Sequence, residues 1–108
     1  MAKYPMTEPI ARREYTFSAA ERVTPVLVQI GKPAPFPDPP FHGDWYCPWS
    51  IQGPDGLREL YAGGVDALQA LLLAISGLRV DLRAMARKGK LTWHDDEDLG
   101  LDLVGPAA

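Results

Sequence analysis

The chain has little of what marks a secreted or membrane protein. It contains one cysteine, Cys47, so no internal disulfide can form. The N-terminus shows no apolar stretch of the kind that precedes signal cleavage. The most apolar run, Ala67 to Ile75, is far shorter than the ~20 residues that a membrane span needs. These absences predict a cytoplasmic protein without a membrane segment.

The chain also lacks the residue patterns that mark common active sites. No nucleophile is followed by a suitable base, no glycine-rich phosphate loop is present, and no histidine or cysteine pair has metal-site spacing. We therefore expect no metal and no cofactor, and we favour a protein that is not an enzyme. A net charge of −3 argues against a nucleic-acid partner.

What is present is the composition of a folded domain. Hydrophobic residues make up 46% of the 108 residues and charged residues 23%, which predicts one domain over residues 1–108 with loosely ordered ends at 1–8 and 102–108. Five of the eleven prolines lie within residues 31–44, and this density predicts an extended loop. The loop is either a rigid connector that lays Phe36 and Phe41 onto the domain edge or a presented binding loop.

Alternation of apolar and polar residues predicts four strands in two sequential hairpins. Their predicted bounds are Ile10 to Ser18, Arg22 to Ile30, Trp45 to Gln52, and Leu57 to Ala62. Pro25 indicates a bulge or an unpaired edge, because proline cannot donate a hydrogen bond to a ladder. On the alternation, Tyr46 opposes the apolar face of its strand and should be exposed.

A long amphipathic helix is predicted over residues 65–88, opened by Gly63 and Gly64. Its apolar stripe should face the sheet and consists of Leu68, Leu71, Leu72, Ile75, Leu78, Leu82 and Met85. Leu73 and Val80 lie off this stripe and have no place on one sheet. A helix of this length, ~36 Å, would overhang strands of ~23 Å.

These elements predict an α+β fold. An antiparallel sheet of about four strands should pack against one long helix, with a short extra strand or tail at Leu91 to Trp93. The second face of the sheet, which carries Arg12, Glu14 and Arg58, should be solvated or meet a second copy of the chain.

The charges near the C-terminus are segregated. A basic helix end is followed by an acidic run, Asp95, Asp96, Glu97 and Asp98. One interpretation is a solvated turn that partly neutralises the helix end; the other is a docking surface for a basic partner.

Three stretches of the sequence resemble a family of small bacterial proteins of unknown function. They are the Cys-Pro strand Trp45 to Ile51, the helix start Ala62 to Leu71 and the closing Leu91 to Trp93. The resemblance covers roughly Ile10 to Gly100. It implies a bacterial, cytoplasmic protein and draws attention to Cys47, Asp66 and Gln69, without assigning an activity.

We therefore expect a non-enzymatic protein-interaction module whose partner is another protein or a second copy of itself. The candidate contact residues are Leu73 and Val80 on the helix and the acidic run Asp95 to Asp98. One alternative is an immunity or antitoxin-like inhibitor that uses the acidic run. The other is a small-ligand binder or enzyme with a pocket near Cys47, Asp66 and Gln69, in which Cys47 is either a reactive or a buried structural thiol.

Overall fold

The computed structural model describes residues 4–37 and 43–101. The elements in this part of the chain are β1 (Pro9–Ala19), β2 (Arg22–Gly31), β3 (Ala34–Pro35), β4 (Trp45–Gly53), β5 (Gly56–Gly64), α1 (Ala67–Ala86) and β6 (Lys90–Thr92). The class is α+β with one helix and an antiparallel sheet, as predicted. The four long strands form the two expected hairpins, and the short strands β3 and β6 raise the strand number to six.

Strands β1, β2, β4 and β5 form an antiparallel meander, and β6 is added beside β1 at one edge. The strand order is β5, β4, β2, β1, β6, and every pairing is antiparallel. The short strand β3 pairs with β4 at Ala34 and Tyr46, on the side of β4 that β2 also occupies. The helix leaves the β5 edge, crosses one face, and delivers β6 to β1, where Leu91 lies opposite Phe17.

The helix packs on the sheet through two alanines and two leucines. Its buried residues recur at every fourth position and are Ala70, Ala74, Leu78 and Leu82. The predicted stripe is wrong at Leu68 and Leu72, which are 64% and 47% exposed. The buried arc is rotated by about 60° from the predicted one at 100° per residue. The cause is close packing: a Cβ atom at Gly77 would lie 2.5 Å from Cη2 of Trp49 on β4.

The helix is shorter than predicted at both ends. It begins after Asp66, whose Oδ1 accepts a hydrogen bond of 2.8 Å from the backbone N–H of Gln69. Gly63 and Gly64 belong to β5 instead of opening the helix. Twenty helical residues span ~30 Å, and strands of nine to eleven residues span about as much, so the expected overhang does not exist.

The second face of the sheet is closed over β4, contrary to expectation. Tyr46 is 9% exposed because the rings of Tyr4 and Phe36 lie against it, with centroid distances of 5.3 and 5.4 Å. Loose order was predicted for residues 1–8, yet Tyr4 is buried in this cluster. Arg58 pairs with Ile51 and so lies on the helix face. Phe41 and residues 102–108 fall outside the described residues.

The expected irregularity at Pro25 takes the form of an unpaired edge. The β1–β2 register continues through Pro25, which lies opposite Thr16, and it shifts between Pro9 and Ala11 instead. The ladder between β2 and β4 begins at Leu27. Proline is therefore accommodated at a position where the second neighbour strand does not reach.

Candidate functional surfaces and cavity

The solvent side of α1 carries two lines of exposed apolar side chains. One line consists of Leu73 and Val80, which are 47% and 65% exposed. The other consists of Leu68 and Leu72. At 100° per residue the two lines lie on opposite flanks of the exposed arc, about 100° apart. We call them the Leu73–Val80 line and the Leu68–Leu72 line.

Cavities on either side of the helix show which part of the sheet each line adjoins. Asp81 and Ala84, on the flank of the Leu73–Val80 line, line a cavity of about 80 Å³ with Asp55 and Arg58 of the β4–β5 hairpin. Residues of the other flank face β1 and β2. The Leu73–Val80 line therefore lies beside the β5 edge, and the Leu68–Leu72 line lies on the β1–β2 side.

The outer edge of β5 has no strand beside it among the described residues. Pro48 of β4 lies opposite Tyr61 and has no N–H to donate, so the hydrogen-bonded pairs of this ladder are the alternate ones, which include Gly53 and Gly56. Inward and outward backbone groups then alternate along the strand. The outward groups belong to Leu57, Glu59, Tyr61 and Gly63. Of these, Leu57 is 60% and Tyr61 42% exposed.

An apolar cavity of about 220 Å³ lies between the helix and the β1–β2 hairpin. It exists because α1 packs on β4 and β5 and leaves the same face of β1 and β2 without a helix above it. Ile75 and Leu78 form the helix wall, Val28 and Ile30 the sheet wall, and Leu101 closes one side. No local sequence pattern predicts this cavity, because it depends on where the helix lies on the sheet.

The C-terminal segment is fastened to the cavity wall by two side chains of β1. Nη1 of Arg13 donates to the carbonyl oxygens of Leu99 and Gly100, at 3.0 and 2.8 Å. The hydroxyl of Tyr15 donates to the same oxygen of Leu99 at 2.8 Å. The guanidinium of Arg13 also stacks on Trp93, 3.9 Å from the ring centroid. Burial raises the pKa of Tyr15, so this hydroxyl stays protonated as a donor.

The three residues predicted to line a pocket differ in burial. Cys47 is 0% exposed and its thiol donates to the carbonyl oxygen of Gly31 at 3.4 Å. Burial raises the pKa of Cys47 to about 11, which favours a structural thiol over a nucleophile. Asp66 and Gln69 are exposed and cap the helix, with Oε1 of Gln69 accepting from the N–H of Val65 at 2.8 Å. None of the three lines a cavity described here.

The acidic run forms an exposed turn whose carboxylates serve the backbone. Trp93 and Asp96 pair across the turn, and Oδ1 of Asp96 accepts from the N–H of Asp98 at 3.0 Å. The carboxylate of Asp98 accepts from the N–H of Gly100 at 2.9 Å. Glu97 and Asp98 also line a cavity with the basic helix residues Arg79 and Arg83. The segment thus brings its negative charge to the basic end of the helix.

Within residues 4–37 and 43–101, no group of three or more His, Cys, Asp or Glu side chains is arranged to hold a metal ion. No helix in this part of the chain is long and apolar enough to cross a membrane. Neither the curated proteins nor the solved structures contain a match to the sequence. A family model described as "Domain of unknown function (DUF6968)" matches residues 11–103, and the chain belongs to this family.

Proposed function

We propose that the protein is a non-enzymatic interaction module that pairs with a second copy of itself through the outer edge of β5 and the Leu73–Val80 line. The observation that carries the proposal is their adjacency: an edge strand of nine residues runs beside exposed apolar helix residues. A long edge strand without a neighbour is a template for pairing with another chain. The apolar side chains beside it supply the burial that edge pairing alone lacks.

A twofold axis perpendicular to the sheet gives the pairing a definite register. With the axis at Leu60, all nine residues of β5 overlap antiparallel, and Glu59 lies opposite Tyr61 of the second copy. Leu57 then lies opposite Gly63 of the second copy, so outward backbone groups meet outward backbone groups. Shifting the register by two residues toward the hairpin would set Glu59 opposite its own symmetry mate, and like charges directly opposite are unfavourable.

The same axis places both helices on one face of a continuous sheet. The flank of α1 that carries the Leu73–Val80 line faces the dimer axis in each copy. Both side chains would leave water on association, which contributes roughly 1.5–3 kcal/mol for each residue that becomes fully buried. The Leu68–Leu72 line points away from the axis and contributes nothing to this interface.

Sedimentation velocity of matched double variants tests the helix contribution. The parent chain should sediment as a dimer, and Leu73→Glu combined with Val80→Glu should sediment as a folded monomer. Leu68→Glu combined with Leu72→Glu removes exposed leucine and adds the same charge on the opposite flank, and it should remain a dimer. A monomeric parent at high concentration, or equal dissociation by both pairs, would contradict the proposal.

A proline substitution tests the strand contribution. The N–H of Glu59 points outward, so Glu59→Pro removes a hydrogen bond between copies but none within the β4–β5 ladder. Glu59→Pro should therefore dissociate the dimer while circular dichroism shows an intact fold. Glu59→Gln, which keeps the N–H, is the control and should remain a dimer.

The two alternative functions have less support. An inhibitor that presents Asp95 to Asp98 to a basic protein would have to compete with the hydrogen bonds that Asp96 and Asp98 already make. Neutralising Asp95 and Glu97, which cap no backbone group here, should leave any partner binding unchanged. A pocket that uses Cys47 is disfavoured, because the residue is fully buried. The bacterial and cytoplasmic setting stays a prediction from the sequence.

A further inference from the structure

We propose that the cavity between α1 and the β1–β2 hairpin is a binding site for a small apolar carboxylate, whose carboxylate group pairs with Arg13. The site lies on the opposite flank of the helix from the β5 edge. It is therefore independent of the proposed pairing of two copies, and either can fail without the other.

The cavity has the size and walls of a site for a compact apolar body. Its volume is about 220 Å³, and its walls are formed largely by aliphatic side chains from both layers. A dry cavity of ~150 Å³ with aliphatic and aromatic walls binds benzene, so this one would hold a body of about nine non-hydrogen atoms. Among the described residues the cavity is partly open to solvent, so a ligand can enter without unfolding the protein.

Arg13 supplies the charge that selects a carboxylate. It lies in the cavity wall and is half-buried, and no carboxylate of the described residues forms an ion pair with it. Both of its hydrogen bonds to the C-terminal segment use Nη1, and the hydroxyl of Tyr15 lies beside the same guanidinium. No carbonyl or carboxylate oxygen of the described residues accepts from Nη2 or Nε. A guanidinium edge with two N–H groups is the geometry that binds a carboxylate in bidentate fashion.

The surroundings of Arg13 hold this edge in place before any ligand arrives. Stacking on Trp93 fixes the plane of the guanidinium, and the carbonyl oxygens of Leu99 and Gly100 fix its rotation. A pre-positioned cation loses little conformational freedom on binding, so more of the contact energy appears as affinity. The cation stands beside apolar walls, which is the pattern of a site for an amphipathic anion.

Isothermal titration calorimetry with octanoate and 1-octanol tests the site on the full chain. The two probes share an eight-carbon chain and differ in charge. Octanoate should bind at one molecule per chain, and 1-octanol at least about tenfold more weakly, because it lacks the charge-assisted hydrogen bonds. Equal affinities, no octanoate binding up to millimolar concentration, or one octanoate per two chains would overturn the proposal.

Two variants locate the binding. Ile75→Trp should fill the cavity and abolish octanoate binding, whereas Ser76→Trp, which adds the same ring on the exposed side of the helix, should not. Unchanged binding by Ile75→Trp would assign octanoate to the exposed leucines and overturn the proposal.

Arg13→Gln separates charge recognition from a merely structural role. If Arg13 pairs with the carboxylate, the variant should bind octanoate and 1-octanol with similar affinity. If the tenfold preference for octanoate persists, Arg13 serves only to fasten the C-terminal segment, and the proposal fails. Octanoate binding that appears only after Leu103→Ser with Val104→Ser would instead assign the cavity to the end of the chain itself.

Discussion

The two flanks of the helix differ in how closely they meet the sheet. Over β4 and β5 the contact is closed: Ala70 and Ala74 are 0% exposed, and the ring of Trp49 fills the space that a side chain at Gly77 would need. Over β1 and β2 the larger Ile75 and Leu78 border a cavity of about 220 Å³. The helix thus sits where its small residues allow the closest approach, and large residues such as Leu68 and Leu72 are left to solvent.

Replacing a buried and an exposed leucine of α1 by alanine should give the largest difference in the free energy of unfolding. Leu82 is 0% exposed, so Leu82→Ala should lower the free energy of unfolding by about 3–5 kcal/mol. Leu72 is 47% exposed, and Leu72→Ala should cost below about 1 kcal/mol. Urea denaturation measures both. Equal losses would mean that the helix is seated on its leucine stripe after all.

The closed flank should also make stability depend on pH through Cys47. Burial raises the pKa of this thiol from 9.0 to about 11, so the folded state favours the neutral form. The unfolded thiol ionises first as pH rises, and stability is lost between about pH 9 and pH 11, by up to ~2–3 kcal/mol. Urea denaturation across this range should show a smaller loss in Cys47→Ala, whose other titrating groups are unchanged. If the free energy of unfolding fell equally with pH in the parent chain and in Cys47→Ala, the burial of the thiol would be contradicted.

A single methyl group at Gly77 tests the closeness of the packing. Alanine is the better helix former by ~1 kcal/mol, but its Cβ would meet the ring of Trp49. We expect Gly77→Ala to lower the free energy of unfolding by about 1–2 kcal/mol, since overpacking outweighs helix propensity. Ser76→Ala, on the exposed side, should raise it by a few tenths. A higher free energy of unfolding in both variants would show that the ring of Trp49 moves aside freely.

On the open flank, the hydroxyl of Tyr15 should contribute measurably to holding the C-terminal segment on β1. Tyr15→Phe removes the hydrogen bond to the carbonyl oxygen of Leu99 and should cost about 1 kcal/mol. The loss should be accompanied by faster amide hydrogen exchange around Gly100. Tyr61→Phe serves as the control, because Tyr61 is 42% exposed and packs against Tyr4, on the other face of the sheet from the C-terminal segment. Unchanged exchange at Gly100 would show that Arg13 alone holds the segment.

The sequence predicts the elements of this fold better than their contacts. Alternation locates the four long strands to within two residues, and the proline and glycines at 53–56 mark the second hairpin turn. The buried face of the helix could not be predicted, because hydrophobicity ranks Leu72 above Ala74. Packing distance decides the outcome instead, and that distance depends on Trp49, which is remote in sequence.

The candidate sites also divide into those that a local pattern predicts and those that depend on contacts remote in sequence. The exposure of Leu73 and Val80 follows from helical periodicity alone. The β5 edge and the cavity depend on strand order and on a contact between Arg13 and Leu99, 86 residues apart, and neither leaves a local signal. Tyr46 was misjudged for the same reason, since the rings that cover it come from two distant segments.

The pairing of β6 with β1 has a consequence for how the protein is made. Thr16 pairs with Thr92, so the outer side of β1 stays unpaired until a strand 76 residues later in the chain has been synthesised. Pairing between strands so far apart in sequence forms slowly and leaves an unpaired, aggregation-prone strand edge in the nascent chain. Truncated translation products that end before Lys90 should therefore be the species that aggregate.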